Sequence, residues 1–217
     1  LNVKGADPVD KVTILPRGMS LGATMFLPQK NKVSYWKNEI LDQLAVLMGG
    51  RCAEEIFVKD ISSGAQQDIE RATHLARSMV CEWGMSDVMG AVAYDERSDS
   101  GQYLGWNNYH DKKYSEDTAK AIDKEVKSIL DEAHRRALAI LEANRDKVEL
   151  MTEMLMKYET LIDEDIRKIA NGEWSIEDKD RRLKEQEELH KKPVATPPPP
   201  PPSSTQSKVA NPSPQPS

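Results

Sequence analysis

The sequence predicts a mainly α-helical bundle with a small β-hairpin at its N-terminal end, followed by a disordered, proline-rich tail. Three observations carry that prediction. Apolar residues recur at spacings of three and four over most of positions 35–171. β-Branched residues cluster near the start, in KVTIL. Prolines crowd the chain beyond Pro193. The 217 residues are 38% hydrophobic and 30% charged, which suffices for one domain with a real core and some unpacked chain.

The elements follow in order. Lys11–Leu15 is β-branched and bounded by Pro16 and Gly18, and Leu21–Leu27 stops at Pro28. Two strands joined by a Pro-Arg-Gly-Met turn are expected. From Tyr35 to Phe57 the apolar positions, among them Ile40, Leu44, Val46 and Met48, surround the helix axis, so that helix should be buried on several sides. Gly49 and Gly50 cost about 1 kcal/mol each there, and close packing against a neighbour is the expected reason for them. Arg51, Glu54 and Glu55 lie in the same helix, where lone charges are expensive, so ion pairing is expected.

A second helix, Ala65 to Trp83, should be closed by Gly84. Met85–Lys113 reads as irregular. Ser115 caps a long helix carrying Glu116 and Asp117 in its first turn and Ile122, Val126, Ile129, Ala133, Ala137 and Ile140 on one face. Helices over Val148–Tyr158 and Asp163–Asn171 complete a domain expected to span residues 1–172. Residues 173–192 read as a charged, helical extension and 193–217 as a tail with polyproline II character, too poor in apolar groups to order itself.

The net charge of −6 argues against a nucleic-acid surface. Cys52 and Cys81 sit in apolar helical patterns and read as buried thiols. The four histidines, His74, His110, His134 and His190, read as surface residues, since no two have HExxH spacing. Asp68 draws more interest. At 100° per residue it falls at the edge of the apolar face, near Ala72, Leu75 and Met79. Two readings stay open: a carboxylate that meets a metal, or a first-turn acid held by the helix dipole and partly wet. Glu54 and Glu55 pose the same choice, one orienting a metal ligand from behind, or one paired with Arg51 and the other in water.

Several segments, in order, resemble the peptidase domain of the FtsH-type ATP-dependent zinc metalloproteases. They are Asp7-Pro8-Val9 with KVTILPRG (Lys11–Gly18), GGRCAEEIF (Gly49–Phe57), SSGAQQDIERAT (Ser62–Thr73), ARSMVCEWGMS (Ala76–Ser86), YLG (Tyr103–Gly105), IDKEV (Ile122–Val126) and LMKYETL (Leu155–Leu161). The resemblance implies that Asp68 is the third zinc ligand and that Glu54 stands near the metal. The two histidine ligands and the general base belong to an HExxH helix, expected shortly before Asp7. No catalytic residue is therefore expected within this chain, and the chain alone is expected to be inactive.

The resemblance further implies zinc and ATP as cofactors, the ATP through a module not in this chain. It implies protein substrates, membrane and soluble, degraded processively, and a homohexamer. An N-terminal anchor would place the parent protein at the cytoplasmic face of a bacterial inner membrane. Leu21–Leu27 would pair with an extended substrate. Two other classes compete. One is a catalytically dead paralogue that serves as an assembly module; the other is an adaptor recruiting a partner through residues 193–217.

Overall fold

The structure, a computed structural model, describes residues 3–16, 22–27, 34–94 and 114–191, with side chains as far as 185. The turn Pro-Arg-Gly-Met beyond its proline, the YLG segment, His110 and the tail from Pro193 lie outside the described residues. So does the side chain of His190.

Strands β1 (Val9–Thr13) and β2 (Ala23–Phe26) pair antiparallel; β1 lies two residues earlier than the expected Lys11–Leu15, and β2 is shorter than the expected Leu21–Leu27. A third strand, β3 (Thr160–Ile162), pairs antiparallel with β1 on its other side, giving the order β2-β1-β3. Three residues between two helices carry no readable periodicity, so β3 is invisible to sequence pattern. Its register puts Thr13 beside Thr160, where the two hydroxyls bond at 2.8 Å. Among the described residues β2 pairs on one side only.

Helix α1 (Lys37–Ala53) packs against α2 (Gln66–Cys81) and α3 (Glu116–Ala143). Its buried face is Ile40, Leu44, Met48 and Cys52. These meet Ala72, Ala76, Met79 and Val80 of α2 and Ile122, Val126, Ala133 and Ala137 of α3. The small residues on α2 and α3 let the three axes approach closely, and the branched and sulfur-bearing residues fill the remaining space. Ser115 caps α3 as expected, accepting from Thr118 N–H at 3.2 Å. α2 ends at Cys81, two residues short of the expected Trp83, with Glu82 as its C-cap; Gly84 then turns the chain at φ +58°, and Met85 N–H reaches back to Met79 C=O at 2.9 Å. A Cβ at Gly84 would stand 2.9 Å from Ala91 Cα.

A second cluster joins α4 (Arg145–Tyr158), β3 and α5 (Asp163–Asn171) to β1. Met154, Leu161, Ile166 and Ile169 are its buried members, with Val9 and Val12 against them. The contacts divide the chain after Trp174, and the second unit opens with α6 (Ile176–Lys191), begun by Ser175, whose hydroxyl accepts from Asp178 N–H. No helix among the described residues is long and apolar enough to cross a membrane.

Three expectations need correction here. A Cβ at Gly49 or Gly50 would meet nothing within 4 Å, so no close packing among the described residues accounts for them. The first helix is not one helix from Tyr35 to Phe57. It ends as an α-helix at Ala53 and continues as a π-helical turn, Glu54–Val58, stopped by Lys59 in the left-handed region at φ +62°. Finally, His134 is not a surface residue among charges; it is half-buried against Glu55.

Candidate functional site

The π turn decides where the two glutamates go. Lys59 N–H bonds to Glu54 C=O at 2.9 Å, five residues back, and the two adjacent carboxylates meet different partners. Glu55 faces α3. It accepts from Arg51 Nε at 2.7 Å, and His134 Nε2 lies 3.1 Å from its other oxygen. The Arg51 hydrogen bond above all, then the His134 ring, holds its carboxyl below the usual glutamate range against the opposing effect of burial. Beside it Cys52 is fully buried, and desolvation pushes its thiol up to about 11, so it is no nucleophile.

Glu54 faces the chain that leads into α2. Its Oε2 accepts Ser62 N–H at 3.1 Å and its Oε1 accepts the Ser62 hydroxyl. Those two bonds hold its carboxyl below its ordinary range. Ser62 Oγ in turn accepts Gly64 N–H at 3.0 Å and so caps the single 3₁₀ turn Ser63–Ala65, which runs straight into α2. The expected ion pairing therefore holds for Glu55 with Arg51, whereas Glu54 is hydrogen-bonded rather than paired.

Asp68 sits in the first turn of α2. The helical wheel turns it toward the core, but burial on α2 begins only at Ala72, and Gln66 to Arg71 are all exposed. A wheel has no means of showing where along a helix burial begins. Asp68 makes no hydrogen bond or ion pair among the described residues. Three residues on, Arg71 lines a cavity of about 350 Å³ shared with Phe26, Tyr35, Val46, Leu47 and the Gly5–Asp7 segment. That segment is tied down by Asp42, buried in α1, which accepts Gly5 N–H at 2.7 Å and pairs with Arg136 of α3. Sequence reasoning missed Asp42, which stands among the polar Asn38, Glu39 and Gln43 at the start of α1 and carries no pattern that marks it as buried.

A catalytic zinc takes three protein ligands and keeps one position open. Asp68 fits the part of one oxygen ligand, being an exposed, uncommitted carboxylate on a helix end. Among the described residues no three His, Cys, Asp or Glu side chains gather into a site that could hold a metal ion. His74 is exposed on α2, as its wheel position suggests.

Comparison with known proteins bears on the family. The family model described as peptidase family M41 matches residues 1–169. A protein named ATP-dependent zinc metalloprotease FtsH from Protochlamydia amoebophila is 65% identical over 193 residues, covering 88% of this chain and 21% of that protein. Its namesake from Chlamydia trachomatis is 58% identical over 192 residues, with the same coverages. That of Akkermansia muciniphila is 48% identical over 161 residues, covering 74% of this chain and 20% of its own length. The chain thus spans about a fifth of the length of these relatives.

Proposed function

Because this chain belongs to peptidase family M41, we propose that it is the zinc-peptidase portion of an ATP-dependent metalloprotease, with Asp68 as one metal ligand. The observation that carries this reading is the exposed Asp68 carboxylate, without a partner among the described residues, on a helix whose start is clasped in place, within a chain matching the family over residues 1–169. The relatives' names supply zinc and ATP dependence. The ATP-binding module, a membrane anchor and a homohexameric ring belong to the same proposal, as does processive degradation of protein substrates at the cytoplasmic face of a bacterial membrane.

Zinc, when bound, polarises the scissile carbonyl and makes its bound water acidic enough to act as nucleophile near neutral pH. This chain's residues prepare for that. Asp68 presents an oxygen donor. Glu54, through Ser62, fixes the start of the helix that carries it. Gly5–Asp7 lines the cavity beside Arg71, so a histidine-bearing helix preceding residue 3 would enter next to α2 and complete the donor set.

Substrate is proposed to add to the open edge of β2. Leu27 N–H donates to Pro8 C=O, so by alternation Met25 and Ala23 aim their N–H groups at β1, while Thr24 and Phe26 aim theirs outward. The informative proline is therefore at Thr24. Thr24→Pro removes an outward donor and spares the β1–β2 ladder. Peptide turnover in the full-length protein should fall several-fold; unchanged turnover would remove β2 from the account.

The metal assignment is tested by Asp68→Asn in the full-length protein. Zinc content and casein cleavage should both be lost while the fold survives. Retention of both would overturn the proposal. The chain by itself should bind zinc weakly and leave casein intact, and tight, stoichiometric zinc in it would contradict the division of ligands.

A further inference from the structure

We infer that Ser62 is a positioning residue for the metal ligand: Glu54 fixes the Ser62 hydroxyl, the hydroxyl fixes the turn Ser63–Ala65, and the turn sets where Asp68 stands. The inference rests on the assignment of Asp68 to zinc made above. It starts from a deficiency. Gln66 to Arg71 are exposed, so core packing does not hold the first turn of α2, and an unsupported first turn frays. A metal ligand that wanders loses affinity, because its ordering must then be supplied on binding.

The structure supplies the support by another route. The Glu54 carboxylate takes both the N–H and the hydroxyl of Ser62, closing the segment between them into a loop. The Ser62 hydroxyl has its proton committed to Glu54 and therefore turns a lone pair to Gly64 N–H at 3.0 Å. Gln66 N–H then bonds to Ser63 C=O, and Ala65 is buried, so the turn is anchored to the core just before α2 begins. Each link is one covalent step from the next, and Asp68 lies three residues beyond Ala65. Glu54 itself opens the π turn, so the local widening of α1 is what brings its carboxylate to Ser62.

The test measures zinc affinity by chelator competition in the full-length protein, with amide exchange of residues 62–70 alongside. Ser62→Ala should weaken zinc about 10- to 100-fold, the usual effect of losing a partner behind a ligand, and should speed exchange in the first turn of α2. Ser62→Thr, which keeps the hydroxyl, should stay within about threefold of the parent. Glu54→Gln should weaken binding, and the double variant should be no worse than the weaker single, since both cut one chain of contacts. Should the alanine variant fail to fold, Glu54→Gln carries the same expectation. Unchanged affinity in Ser62→Ala, or equal loss in Ser62→Thr, overturns the inference. If Asp68→Asn abolishes zinc while the Ser62 and Glu54 variants do not weaken it, only this inference falls. If Asp68→Asn leaves zinc untouched, the ligand assignment falls and takes this with it.

Discussion

Glu55 pairs back along its own helix with Arg51 and reaches α3 through His134, and its effect should appear in the pH dependence of stability. Its folded pKa lies below the ordinary glutamate value, chiefly because of the Arg51 hydrogen bond. The stabilisation is therefore fully present above the ordinary value and is lost as pH falls through the depressed one. With both partners about a quarter to a third exposed, solvent screening limits it to roughly 0.5–1 kcal/mol. Glu55→Gln should flatten the acid limb of a denaturation series between about pH 5 and pH 3; an unchanged limb would deny the pair any role. Gly84 offers a stricter residue-scale test. Its φ of +58° and the 2.9 Å approach to Ala91 Cα disfavour any side chain, so Gly84→Ala should cost about 1–2 kcal/mol or more by urea denaturation.

At the scale of the element, α1 behaves differently on its two sides. Its buried side is committed to α2 and α3, while at Gly49 and Gly50 a Cβ would meet open space. Gly50→Ala should accordingly stabilise this chain by about 0.5–1 kcal/mol, since alanine loses less backbone entropy and nothing clashes with it. A loss of stability instead would mean that something packs against the glycines. Across the core, Ile122 of α3 is fully buried among α1 and α2 side chains, and Ile122→Ala should cost about 2–5 kcal/mol. Calorimetry on the two variants should move the melting temperature in opposite directions.

Over the whole molecule, the long periodic elements were legible and the short or irregular ones were not. α3's buried stripe and Ser115 cap follow from spacing and from one hydroxyl, and α5 spans Asp163–Asn171 as read. β3 escaped because three residues have no period, and the π turn escaped because a wheel presumes a uniform 3.6 residues per turn. The candidate site was legible only in part. Asp68 drew attention through a wheel position that the structure does not honour, since Gln66 to Arg71 are all exposed. The Glu54–Ser62 link joins residues too far apart for any helical pattern and depends on the π turn. Membership of the M41 family came from ordered short segments, which composition and periodicity could not have supplied.

The most direct test of the central claim is zinc-edge anomalous diffraction from crystals of the full-length protein. One peak per protomer is expected, about 2.0–2.2 Å from a carboxylate oxygen of Asp68, with the remaining ligands from residues outside this chain. A peak remote from Asp68, or a metal bound while Asp68 stays free in solvent, would contradict it.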